Sequence, residues 1–116
     1  MNKKLLAGLA LTAWAVASTA AAEKIYGPGA SDTEIKIGST NPYSGPASAY
    51  GTIGRAQSAY FKMINDHGGV NGRKIDFMSL DDGYSPPRTV EQVRKLVEQE
   101  QVLFLAGTLG TPPNSA

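Results

Sequence analysis

Lys74-Ile75-Asp76-Phe77-Met78-Ser79-Leu80-Asp81-Asp82-Gly83-Tyr84-Ser85-Pro86-Pro87 is a strand that hands over to a helix within a few residues. Ile75, Phe77 and Leu80, with Met78 between, give an apolar run about as long as a β-strand. Asp81-Asp82-Gly83-Tyr84 is the turn. Ser85 stands where a helix cap is expected, and Pro86 and Pro87 follow at first-turn positions where a missing N–H costs little. Val90, Val93, Leu96 and Val97 then form an apolar stripe, with Glu91 four residues before Lys95 on the outer face.

The same alternation continues in both directions. Upstream, Gly68-Gly69 stops a helix that runs from about Ala49 to His67, because glycine takes the left-handed conformation at little cost. On that helix Tyr50, Ile53, Gln57, Tyr60, Phe61 and Ile64 share one face, while Arg55, Lys62, Asn65 and Asp66 fall away from it. Gly51 and Gly54 weaken its first turns by roughly 1 kcal/mol each, which points to a close approach by a neighbour or a ligand. Before it, Glu34-Ile35-Lys36-Ile37-Gly38 alternates polar and apolar as a strand does, and Thr40 to Ser48 is a loop with Pro42, Gly45 and Pro46. Downstream, Val102 to Ala106 is almost wholly apolar and fits a central strand covered on both faces. The order strand, helix, strand, helix, strand predicts an α/β fold: a parallel sheet with flanking helices and right-handed crossovers.

In such a sheet ligands bind beyond the carboxyl ends of the strands. Three segments fall there: Ser39 to Tyr50, Asp81 to Ser85, and Gly107 to Asn114. The last, Gly107-Thr108-Leu109-Gly110-Thr111-Pro112-Pro113-Asn114, is a turn followed by the start of a third helix. Backbone N–H groups and small hydroxyls at such a junction suit a carboxylate or phosphate. Thr111 has a competing role as a simple cap for that helix. Tyr50 and Tyr84 stand at loop-to-helix boundaries at this end of the sheet, with Tyr43 nearby, and aromatic walls suit a small-molecule pocket. Asp81 and Asp82 can satisfy backbone N–H groups in their turn, the role the turn itself favours, or bind a divalent ion or phosphoryl group.

No enzyme constellation accompanies these loops. The chain has no cysteine and a single histidine, His67, which ends a helix away from the carboxyl-end loops. No G-x-S-x-G elbow, P-loop or dinucleotide fingerprint occurs, and no metal-ligand spacing, so neither a cofactor nor a metal is expected.

The first residues read as a leader: Met1 to Lys4 is basic, Leu5 to Ala17 apolar, and Ala20 and Ala22 occupy the small positions of a cleavage site. Cleavage after Ala22 implies export to the periplasm and leaves about 94 residues, enough for one small core. Losing Lys3 and Lys4 brings the basic residues one below the acidic ones, which disfavours nucleic acid and anionic lipid as partners. Zero cysteines leave the fold to core packing alone.

Ile35-Lys36-Ile37-Gly38, Ser44-Gly45-Pro46 and Tyr50-Gly51 resemble the opening of the periplasmic branched-chain amino acid binding proteins. Asn65-Asp66-His67-Gly68-Gly69-Val70-Asn71-Gly72-Arg73-Lys74-Ile75 is similar to that family's helix-ending stretch, and Asp81-Asp82 before a proline-started helix matches as well. The resemblance implies a two-lobed, type I periplasmic-binding fold that closes on its ligand and delivers it to the membrane subunits of an ABC transporter. Residues 23–116 are then the N-terminal part of lobe 1, carrying half of the ligand site, in a protein expected to act as a monomer. The resemblance places the ligand's carboxylate at Thr111, beside the Leu109 and Gly110 backbone, and puts Tyr50 next to the ligand's side chain. Departures are the serine-poor Leu109-Gly110-Thr111-Pro112-Pro113, whose prolines remove two backbone donors, and Tyr84 in a turn where a smaller residue would suffice. An aromatic acid, an amide, a short-chain acid and an amino acid all remain open as the ligand. Two other readings are a sensory domain of the same fold and a receiver-like or flavodoxin-like domain using Asp81 or Asp82.

Overall fold

The computed structural model describes residues 24–116, so the expected leader, residues 1–22, lies outside the described residues. Three parallel strands lie in the order β2-β1-β3: β1 is Glu34–Asn41, β2 Lys74–Asp81 and β3 Phe104–Leu105. Helix α1 (Gly51–Asp66) links β1 to β2, α2 (Pro86–Arg94) links β2 to β3, and α3 (Thr111–Asn114) follows. The predicted α/β architecture is therefore present.

The register runs from Glu34 beside Lys74 to Asn41 beside Asp81, and sets Ile37 beside both Phe77 and Phe104. Parallel partners in register point their side chains to one face. One face of the sheet thus carries Ile37, Phe77 and Phe104. Phe61 of α1 covers it, its ring 4.8 Å from that of Phe77. The opposite face carries Gly38 and Leu105, beneath Leu96, which is fully buried. Ile37, Ile75, Leu96 and Val102 form the buried apolar core.

Several expectations change. β1 does not end at Gly38 but runs on to Asn41, and Ser39, Thr40 and Asn41 are completely buried. Polar residues hold this place because β1 is the central strand, and both of its faces are covered at this end. The run Val102 to Ala106 is not the central strand: β3 pairs only with β1, and Phe104 is half exposed. Its pairing continues outside the two strand residues, through Leu103 N–H to Lys36 O, Ala106 N–H to Gly38 O and Leu109 N–H to Thr40 O.

The contact stripe of α1 is rotated from the expected one. The rotation is partial: Gln57, Phe61 and Ile64 of the expected stripe stay half-buried, with Phe61 on Phe77, whereas Tyr50, Ile53 and Tyr60 are exposed and Gly51 and Gly54 are buried against β1 and the loop after it. A Cβ on Gly51 would approach Pro42 O to 2.8 Å, and one on Gly54 would overlap the Tyr43 hydroxyl and come within 2.8 Å of Asn41. The glycines let the helix sit on Tyr43, whose hydroxyl hydrogen-bonds Ser79. Tyr43 is thus a packing residue. Asn65, expected on the outer face, accepts from the Ile75 N–H and donates to the Ile75 carbonyl, both at 2.7 Å. It mimics a neighbouring strand along the free edge of β2.

On α2 the stripe also shifts, with Thr89 and Leu96 buried but Val97 half exposed. The helix widens into a π turn at Lys95–Gln99, which delivers Leu96 onto the sheet. Among the described residues the i,i+4 ion pair that forms is Lys62–Asp66 at 2.7 Å on α1, and Glu91 and Lys95 do not pair. His67 hydrogen-bonds the Met63 carbonyl from the end of α1, as its position implied.

Candidate ligand site at the carboxyl ends of the strands

The parallel register brings the three loops together. Asp81 is the knot between the first two. It accepts hydrogen bonds from Tyr43 N–H at 2.8 Å, Ser44 N–H at 3.1 Å, Ser44 Oγ at 2.5 Å and Gly83 N–H at 3.0 Å. Arg88 reaches the same carboxylate at 3.3 Å. Burial raises the carboxyl's pKa, but the donors from Ser44, Gly83 and Tyr43 outweigh it and bring it from 3.8 down to about 2.

A folded pKa below the unfolded one stabilises the fold above the unfolded value, and that stability is lost as pH falls through the folded value. The side chain is 30% exposed. With solvent screening discounted, the knot contributes about 1–2 kcal/mol at neutral pH, disappearing between about pH 4.5 and 2. Asp81→Asn is expected to flatten that part of the stability–pH curve, measured by urea denaturation across the range. A variant as acid-sensitive as the parent protein would assign the loss to other groups.

Asp82 serves the second loop. It is completely buried and accepts from Tyr84 N–H and Thr89 Oγ1, each at 2.9 Å. Ser85 does occupy the N-cap position of α2, but its side chain makes no capping bond. With Pro86 and Pro87 next in line, only Arg88 among the first three helical residues has an N–H to cap. Both aspartates therefore hold loops.

Tyr84 has a left-handed backbone, φ 61°. Few non-glycine residues adopt it. Asp82 holds its N–H, and its ring lies over Gly110: a Cβ there would come within 2.7 Å of Tyr84 Cε2. Gly110 itself has φ 114°, so it is doubly constrained to be glycine. Tyr84 thereby joins the second loop to the third.

The third loop is fixed to β1 by the Leu109 N–H to Thr40 carbonyl bond at 3.0 Å. It also contacts α1, where Gln57 Nε2 donates to Gly107 O at 3.4 Å. The third helix forms one turn, Thr111–Asn114, with Gly110 rather than Thr111 at its N-cap. Pro112 and Pro113 leave Thr111 as the one residue of its first three with an N–H. The Thr111 hydroxyl makes no hydrogen bond among the described residues, so capping does not use it.

Tyr50, Tyr84, Leu109, Gly110 and Thr111 line one depression of about 390 Å³, together with Ile53. All five residues singled out from the sequence meet there, drawn from three separate loops. Ile53, which the sequence places only on the α1 stripe, lines it as well. It lies one helical turn after Tyr50, and that spacing was the available signal. Two other concavities lie elsewhere, one of about 630 Å³ on the outer side of α2 and one of about 400 Å³ between α2 and α3. The first is lined largely by charged and amide side chains, and neither draws on all three loops.

Residues 34–116 match the family model described as periplasmic binding protein. The chain belongs to the periplasmic binding protein family. The chain is 37% identical over 79 residues to the leucine-, isoleucine-, valine-, threonine- and alanine-binding protein of Pseudomonas aeruginosa, covering 67% of this chain and 21% of that one. Among solved structures it is similar to a fatty acid ABC transporter substrate-binding protein from Thermomonospora curvata, with 34% identity and a TM-score of 0.67. That match covers 77% of this chain and 23% of the other. It is also similar to an ABC transporter solute-binding protein from R. palustris in complex with benzoate, with 33% identity and a TM-score of 0.59, covering 70% and 22%. The three-stranded α/β fold of the described residues matches part of the type I periplasmic binding proteins. The chain spans about a quarter or less of the length of these relatives.

Proposed function

We propose that this chain supplies one wall of the binding cleft of a periplasmic solute receptor, which captures a small carboxylate-bearing solute and delivers it to the membrane subunits of an ABC transporter. The observation that carries this reading is the convergence of Tyr50, Ile53, Tyr84, Leu109, Gly110 and Thr111 from three loops at the carboxyl end of a parallel sheet. Amino acids, fatty acids and benzoate, the solutes of similar proteins, have a carboxylate in common. In this reading the Thr111 hydroxyl and N–H receive the carboxylate, Tyr50 and Tyr84 flank the rest of the solute, and a second lobe closes over it. The receptor is exported by the leader ending at Ala22 and acts as a monomer.

Isothermal calorimetry of the full-length protein against leucine, hexanoate and benzoate tests the reading. At least one is expected to bind and to raise the melting temperature. Thr111→Ala is expected to weaken that solute by about 1–2 kcal/mol, the worth of one hydrogen bond to a charged group. Unchanged affinity would remove Thr111 from the site. Absence of binding by all three would sink the carboxylate reading.

A further inference from the structure

We propose that this depression selects aromatic carboxylates, with Tyr84 as the residue that sets the preference. The inference rests on the solute-receptor reading and narrows it. Of the six lining residues, Tyr50 and Tyr84 present rings, and Ile53 and Leu109 present aliphatic side chains. The exposure of Tyr50 and Ile53, 59% and 46%, makes them surfaces for an incoming molecule rather than parts of the core.

Tyr84 is more than a nearby ring. Its left-handed backbone is held by the fully buried Asp82, and its ring is seated on a glycine that could carry no side chain without colliding with it. A glycine or asparagine would adopt this backbone more easily. What tyrosine adds is a planar surface, and the backbone bond together with the Gly110 seat fixes its orientation in advance. A pre-oriented ring favours a flat, rigid partner, which stacks offset or edge-on without losing internal freedom. A flexible alkyl chain loses rotamer freedom on the same surface.

The charges of the site agree. None of the six lining side chains is acidic. The two aspartates nearest in sequence are committed, Asp82 to Tyr84 N–H and Thr89, and Asp81 to the first loop and Arg88. This wall therefore presents an apolar aromatic surface beside the Thr111 hydroxyl, a pairing that suits a ring attached to a carboxylate.

The test is calorimetry on the full-length protein with sodium benzoate, L-leucine and sodium hexanoate as probes. Benzoate is expected to bind at least tenfold more tightly than either of the others. Tyr84→Leu is expected to weaken benzoate tenfold or more while moving any leucine or hexanoate affinity by less than threefold, and Tyr84→Phe, which keeps the ring, should stay within threefold of the parent. Tyr50→Leu provides a second variant at an exposed position, should Tyr84→Leu fail to fold, and is expected to cost benzoate at least threefold. Leucine or hexanoate binding as tightly as benzoate would overturn aromatic selection while leaving a carboxylate receptor in place. So would unchanged benzoate affinity in both leucine variants. Failure of all three probes to bind would overturn this inference and the receptor reading together.

Discussion

Leu96→Ala is expected to lower the unfolding free energy by about 3–4 kcal/mol, read by urea denaturation at neutral pH. Leu96 is fully buried, and it fills the one place on the α2 face where the central strand contributes no side chain. Beneath it lies Gly38, and beside Gly38 lies Leu105: a Cβ on Gly38 would stand 3.1 Å from Leu96 Cδ1 and 2.8 Å from Leu105 Cδ2. The usual partial collapse around a truncated leucine needs a neighbour that can move inward. Glycine has nothing to move, so the cost should fall in the upper part of the range seen for such truncations. The same geometry predicts the sign of a coupling. Gly38→Ala alone overpacks the site and destabilises, whereas in the Leu96→Ala background the added methyl enters vacated space. The double variant should therefore be more stable than the sum of the single effects predicts, by about 1 kcal/mol or more. A Leu96→Ala cost below about 1.5 kcal/mol, or strict additivity with Gly38→Ala, would mean that α2 does not pack on the sheet in this way.

Gly38 also shows what could and could not be read from the sequence. The elements were legible because each is signalled locally: alternation around Ile35 and Ile37, the Gly68-Gly69 stop, and proline at the start of α2. The faces were harder. The large apolar residues of α1 put Tyr50, Ile53 and Tyr60 on the same stripe as Phe61 and Ile64; Phe61 does lie on Phe77, yet the first turns meet β1 and the loop after it through Gly51 and Gly54. A hydrophobic pattern cannot register a contact made by backbone. Tyr50 and Ile53 stay outside that contact and are available at the depression. The far end of β1 was missed for a related reason. Ser39-Thr40-Asn41 has loop composition, and only its pairing with Ser79-Leu80-Asp81 and with the loop after β3 makes it buried strand.

That Tyr50, Tyr84, Leu109, Gly110 and Thr111 share one depression is legible because the rule that ligands collect beyond the carboxyl ends of parallel strands needs only the order of the elements. What that rule does not supply is how the loops are held against one another. That depends on Asp81, on Asp82 and on the seat of Tyr84 over Gly110, all of which are interactions between segments distant in the chain or bonds of a specific turn.

Asp82→Ala should therefore have two consequences, one on stability and one on binding. The carboxylate is completely buried with two donors, Tyr84 N–H and Thr89 Oγ1. Thr89 retains a second acceptor in the Ser85 carbonyl at 3.0 Å, so its hydroxyl is not orphaned by the change. The Tyr84 N–H has no such alternative, and without Asp82 nothing compensates its left-handed backbone. Losing two hydrogen bonds to a charged group and leaving a small void should cost about 2–4 kcal/mol of folding stability. Tyr84 can then relax toward an ordinary backbone, which lifts its ring from Gly110 and removes one wall of the depression. Binding of the preferred solute should weaken about tenfold, although Asp82 does not itself line the depression. Asp82→Asn separates the two effects. Its amide oxygen can still accept from Tyr84 N–H, and its NH₂, which cannot accept from Thr89, can donate to Thr89 Oγ1 once that hydroxyl turns to the Ser85 carbonyl, so at most about half of the stability loss is expected with affinity nearly unchanged. Denaturation and calorimetry on the two variants give four numbers. If Asp82→Ala lost stability but bound its solute as well as the parent protein, Tyr84 would be held by its seat on Gly110 alone, and the buried carboxylate would be a prop for α2 rather than for the site.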